Sequence, residues 1–190
     1  GQIQGFFDGP VDHLTALPVL EDYLRRNCDP GLVIVAPDAG RVKVAERMAQ
    51  HMGDLNADLA FINKRRPKGM ANVAVAREVI GEVEGRHCVI TDDMIDTGGT
   101  VVSAADLLME RGAREVWAVC THGILSGPAI DRLKNSAITK VVITNTVPLP
   151  PEKQIDKIEV LSVARIIADA LDAVFVDSSV SEIFGGENQA

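Results

Sequence analysis

The segment CVITDDMIDTGGTV, residues 88–101, drives an apolar run into two adjacent carboxylates, Asp92 and Asp93. It adds a third at Asp96 and then turns through Gly98, Gly99 and Thr100. Like charges crowded at the end of a buried strand repel one another, so their placement calls for a ligand rather than for packing. Carboxylates accept hydrogen bonds from sugar hydroxyls or coordinate Mg2+. A glycine-rich turn that opens a helix does the opposite, because its backbone N–H groups attract an anion such as phosphate. Gly98 and Gly99 let a ligand approach the backbone closely, and the Thr97 and Thr100 hydroxyls add donors. One loop offering both chemistries suits a molecule with a phosphate at one end and neighbouring hydroxyls at the other. A sugar phosphate meets that description. The nucleotide-binding patterns G-x-x-x-x-G-K-[ST] and G-x-G-x-x-G do not occur in the chain.

Two further stretches carry charge where chemistry could use it. APDAGR, residues 36–41, follows the apolar run LVIV, so Asp38 and the turn Ala39-Gly40-Arg41 should emerge at a strand end. Backbone N–H groups there suit diphosphate oxygens, and Asp38 could bind Mg2+ through water. KRRPK, residues 64–68, places four cations within five residues of an acidic protein.

The elements that must position these groups follow from periodicity. Residues 32–37, 58–63, 87–93, 115–122 and 140–146 are short apolar runs that read as strands buried on both faces. Residues 13–27, 41–52, 100–112 and 127–136 read as helices, with Pro18 near the first turn of one and Gly112 closing another. Strand and helix in alternation predict an α/β fold, a mostly parallel sheet flanked by helices. In such a sheet ligands bind at the carboxyl ends of the strands, where the acidic loop lies. Residues 64–77 break the rhythm and read as a long loop or as an extended hairpin with EVIGEVEG. After Leu161 the chain reads as one helix followed by a short tail.

Composition narrows the function classes. With 190 residues the chain can bury one substantial core. Its net charge of −8 argues against broad nucleic-acid binding. No apolar run is long enough for a membrane span. The three cysteines form no C-x-x-C pair, which fits a reducing cytoplasm and gives no support for structural zinc. The four histidines lack paired spacing and read as structural or solvated. The chain opens on Gly1 rather than Met, which suggests an upstream part.

VITDDMIDTGGT resembles the 5-phosphoribosyl-1-diphosphate loop of type I phosphoribosyltransferases and ribose-phosphate diphosphokinases. Several other stretches, in order, are similar to the diphosphokinases: QIQGFFDGPVDHL, APDAGR, NKRRP, THGILSGPAI, VVITNTVPLP and SVSEIF. The resemblance runs almost end to end. It implies a type I phosphoribosyltransferase-like fold over residues 1–160. It also implies a carboxyl-terminal helix and tail, 161–190, that packs on an amino-terminal domain not present in this sequence. By resemblance Asp92 and Asp93 hold the ribose 2- and 3-hydroxyls, and the turn Asp96, Thr97, Gly98, Gly99, Thr100 holds the 5-phosphate. Asp38, Ala39, Gly40 and Arg41 hold the diphosphate, with Asp38 also on the metal. Ala36 and Arg41 depart from the Ser and Gly usual in the family, which leaves open the side chain that assists the diphosphate. Lys64 and Arg66 are the implied catalytic cations.

The implied reaction transfers the diphosphoryl group of Mg-ATP to ribose 5-phosphate, giving 5-phosphoribosyl 1-diphosphate and AMP, with Mg2+ as cofactor and a cytoplasmic location. Family members form homo-oligomers, dimers within hexamers. SVSEIF matches a stretch of their regulatory ADP site, which makes Ser179, Ser181 and Phe184 allosteric candidates. Most adenine contacts come from the amino-terminal domain, so the chain alone is expected to bind ribose 5-phosphate and turn over poorly. A phosphoribosyltransferase acting on a free base and a non-catalytic regulatory relative are the alternatives. The first needs a base-covering hood, and no segment stands out for one. The second usually shows damage in the sugar or Lys-Arg loop, and both look intact.

Overall fold

The computed structural model describes residues 2–65 and 76–184. Within them, seven strands form one sheet in the order β3-β2-β1-β4-β5-β6-β7. The strands are β1 (Val33–Ala36), β2 (Asp58–Arg65), β3 (Ala76–Ile80), β4 (His87–Ile95), β5 (Glu115–Gly123), β6 (Lys140–Thr144) and β7 (Ile158–Leu161). All neighbours pair in parallel except β2 and β3, which are antiparallel. The helices are α1 (Leu17–Asn27), α2 (Val42–His51), α3 (Gly99–Glu110), α4 (Ala129–Lys134) and α5 (Ala164–Phe175). The α/β class expected from the alternation of elements is the one that forms.

The central strands are continuously apolar because both faces are covered. Val33, Val35, Cys88, Ile90, Val116 and Ala118 point to one core, together with Val101 and Leu108 of α3 and Leu133 of α4. Ile34, Ala36, Val89, Trp117 and Val142 point to the other, with Leu20 and Leu24 of α1 and Met48 of α2. This division follows from topology. The chain leaves β1 toward β2 through α2, and leaves β4 toward β5 in the opposite direction through α3. Crossovers of one hand then require α2 and α3 on opposite faces. Because β1 and β4 are neighbours whose connections diverge, a crevice opens between their carboxyl ends.

Several boundaries differ from the sequence reading. The first helix begins at Leu17 rather than His13, with Pro18 in its first turn where a missing N–H costs nothing. β7 escaped notice because it is a four-residue edge strand with both end residues half-buried and the middle two exposed, so periodicity is weak. Of the stretch read as a loop or hairpin, the flanks pair antiparallel, Asn63 with Glu78 and Lys64 with Arg77, and residues 66–75 lie outside the described residues. Gly112 does end α3, at φ +83°, where an L side chain would be strained. α5 buries Ile166 and Ala173 and leaves Ile167, Leu171, Val174 and Phe175 exposed.

Candidate functional site

Register creates the crevice. Val35 of β1 sits beside Ile90 of β4, and β1 stops at Ala36 while β4 continues along β5 to Ile95. Beyond Thr91, β4 therefore has no strand on its β1 side. Asp92 and Asp93 stand at this overhang. The resulting open cleft, about 420 Å3, is lined by Asp38 and Arg41 on the β1 side and by residues 92–101 on the β4 side.

The β1 side is a short 3-10 turn, Ala39–Arg41, leading into α2. Asp38 caps it: Gly40 N donates to Asp38 Oδ1 at 2.9 Å. At its end Arg41 reaches over the gap. Its Nε lies 3.1 Å from Asp92 Oδ1, and its Nη2 donates to Asp93 Oδ2. The Asp93 N–H also donates to Asp92 Oδ1, at 2.9 Å. Asp92 is the more enclosed acid, its side chain 15% exposed against 40% for Asp93. Burial pushes the Asp92 carboxyl up to about 6, Arg41 opposing that rise and the Asp93 charge adding to it.

The β4 side ends in a turn built to expose backbone. Gly98 occupies φ +74° at the entry to α3, where a side chain would be strained. No side chain caps α3 there, and its first turn carries no acid. The first N–H groups of a helix have no partner within it, so these point at the cleft with the positive end of the helix dipole. Neighbouring segments brace the turn. Ser126 Oγ donates to Asp96 Oδ1, and Ser126 N donates to Asp96 O at 3.0 Å. Leu125, buried and at the strained φ of +51°, donates its N–H to Ile95 O at 3.0 Å. Arg132 Nη1 donates to Thr97 O at 3.0 Å, which sets a guanidinium beside the turn.

Thus the structure brings Asp38, Arg41, Asp92, Asp93, Asp96, Thr97, Gly98, Gly99 and Thr100 to one cleft. Ala39 and Gly40 form the turn at its edge. Lys64 lies at the end of β2, at the same edge of the sheet, and Arg66 falls outside the described residues. Ser179, Ser181 and Phe184 lie elsewhere: the serine hydroxyls bond each other at 2.7 Å, and Phe184 is buried. Among the histidines, His51 bonds Glu21, His122 bonds Thr146, and His87 packs edge-on against Trp117. Ser126 and Arg132 were missed as site residues. Ser126 stood inside a quoted motif, THGILSGPAI, but Arg132 has no local signal, because only the packing of α4 on α3 brings it to Thr97. Among the described residues, no group of three or more His, Cys, Asp or Glu side chains could hold a metal by itself.

A family model described as the phosphoribosyl synthetase-associated domain matches residues 57–185, most of the chain. The chain belongs to this family. Named relatives are similar over nearly the whole of this chain. A ribose-phosphate pyrophosphokinase from Streptomyces avermitilis is 55% identical over 184 residues, covering 96% of this chain and 56% of the relative. One from Bifidobacterium longum is 52% identical over 186 residues, covering 96% and 54%. The crystal structure of phosphoribosylpyrophosphate synthetase from Mycobacterium smegmatis matches with a TM-score of 0.83 at 44% identity, covering 93% of this chain and 56% of that one. The chain therefore spans a little over half the length of these relatives.

Proposed function

We propose that this chain is the sugar- and diphosphate-handling part of a ribose-phosphate diphosphokinase, the activity named in its relatives. The observation that carries the proposal is the polarity of one cleft. Carboxylates stand at one end and an uncapped, glycine-rich helix N-terminus at the other. Asp92 and Asp93 would accept hydrogen bonds from the 2- and 3-hydroxyls of ribose 5-phosphate, and the turn from Asp96 to Thr100 would receive its phosphate. That pose directs the anomeric hydroxyl toward the Asp38–Arg41 turn, whose backbone and cation suit the diphosphate.

The anomeric oxygen would then attack the β-phosphorus of ATP. The bond from that phosphorus to the α–β bridging oxygen breaks, AMP leaves with the electron pair, and the hydroxyl proton passes to solvent. Little covalent work falls to the protein, so alignment and charge neutralisation supply most of the rate. Lys64 and Arg66 are proposed to stabilise charge on the group in flight.

Magnesium fits this site as a cation that arrives with substrate phosphates. Asp38 offers hard oxygen donors beside the cleft, and a dedicated cage is unnecessary for an ion that keeps its waters. Bound there, it would neutralise diphosphate charge. Residues 161–190 are proposed to be a separate segment. The exposed apolar face of α5 suits packing on the part of the longer relatives that this chain does not span. Reduced thiols at Cys28, Cys88 and Cys120 suit a cytoplasmic setting, and the homo-oligomers of the family remain the expected assembly.

Calorimetric titration of the chain with ribose 5-phosphate tests the assignment. Binding that disappears in D92N/D93N supports it. Equal binding by wild type and double variant would remove the acids from the site.

A further inference from the structure

Arg41 holds the two carboxylates that the proposed sugar needs. Its guanidinium carries only donors and occupies an oxygen on each of Asp92 and Asp93. Ribose hydroxyls would bring further donors to the same two carboxylates. The same arginine terminates the turn assigned to the diphosphate, yet in this geometry its charge is directed at the acids. The two acids and an incoming diphosphate therefore compete for one cation, and the sugar hydroxyls and that cation compete for the same two acids.

We propose that Arg41 is a latch exchanged between ligands. It neutralises Asp92 and Asp93 across the cleft, the vicinal hydroxyls of a pentose phosphate displace it, and the freed guanidinium then engages the diphosphate. This rests on the assignment of the cleft to a sugar phosphate and a diphosphate. It adds that Arg41 couples the two subsites. Whichever ligand binds first breaks the Arg41 ion pairs, and the second finds its partner already released. Coupling of this kind is reciprocal.

The test is calorimetric titration of the full 190-residue chain with ribose 5-phosphate, alone and with inorganic diphosphate present. It is run at about pH 8, well above the wild-type Asp92 midpoint of about 6. In wild type, diphosphate should tighten sugar binding roughly tenfold, within the usual range of coupling between sites. Arg41→Ala should bind ribose 5-phosphate alone several-fold more tightly and lose the coupling. Arg41→Lys keeps the charge but cannot fork across two carboxylates, so its coupling should be intermediate. Unchanged coupling in Arg41→Ala overturns the latch, as does a wild type in which diphosphate weakens sugar binding by taking the phosphate turn. Absence of ribose 5-phosphate binding in all variants overturns both the latch and the assignment beneath it. Binding that survives in all variants without coupling overturns the latch alone.

Discussion

Arg41 and Asp92 face each other across the gap that opens where β1 ends and β4 runs on, with Nε 3.1 Å from Oδ1. The pair joins the two halves of the crevice. It also holds down the rise that burial imposes on the Asp92 carboxyl. Removing the guanidinium leaves the burial and takes away the opposition. Arg41→Ala should therefore move the Asp92 midpoint above its wild-type value of about 6. Carboxyl-carbon NMR titration, with the resonance assigned by its loss in D92N, reads this directly. A midpoint that stays the same or falls would mean that Arg41 does not hold this acid down.

The same acid gives stability a pH dependence of predictable sign. Its folded midpoint of about 6 lies above the 3.8 of a free aspartate, so between those values the native state holds the proton more firmly than the unfolded chain. Stability contributed by Asp92 is then present in its protonated form and is lost as pH rises through that window. D92N lacks the titration. Relative to wild type, it should gain on the order of 1–3 kcal/mol on going from pH 4 to pH 7. Denaturant unfolding at the two pH values measures this double difference, which cancels any constant effect of the amide. A gain of the opposite sign would contradict the burial argument.

The sheet and the acidic loop were legible in the sequence for one physical reason: both are local. Buried parallel strands announce themselves as short apolar runs, and the loop from Asp92 to Thr100 carries its acids and its turn within a few residues. What could not be read depends on distance. β7 pairs with β6 at Val142 and Glu159, residues with no shared pattern. Arg132 meets Thr97 only because α4 packs against the start of α3. Arg41 read as a residue of the diphosphate turn, while its grip on Asp92 and Asp93 requires the β1–β4 register. For Arg132 and Arg41 the element was visible and its neighbour was not, whereas β7 was hidden as an element too.

Ser126 braces the phosphate turn without standing on it, since its hydroxyl and its N–H both bond Asp96. Ser126→Ala removes the side-chain bond and keeps the backbone one. Loss of about 1 kcal/mol of turn alignment corresponds to roughly fivefold weaker ribose 5-phosphate binding. The melting temperature should change little, because the contact is at the surface. Unaltered affinity in calorimetry would show that the backbone bond alone holds Asp96 in place.

Gly98 and Gly99 separate fold from function at the same turn. Gly98 sits at φ +74°, and alanine there forces an L residue into left-handed backbone. The cost is about 1–2 kcal/mol, which in a domain of this size lowers the melting temperature by roughly 2–8 °C. Gly99 is the first residue of α3, and its added Cβ would meet only the flexible Arg132 Nη1 at 3.4 Å and Thr97 Oγ1 at 3.8 Å. Gly99→Ala should therefore melt at or above the wild-type temperature, since alanine favours helix over glycine by about 1 kcal/mol. Yet a methyl group there blocks the close backbone approach that a phosphate needs. The expected result is a stable Gly99→Ala variant with ribose 5-phosphate affinity reduced at least tenfold, set against a destabilised Gly98→Ala. Thermal unfolding and calorimetry on the two variants decide it. Full affinity in Gly99→Ala would move the phosphate away from the helix N-terminus and leave the cleft without its anion end.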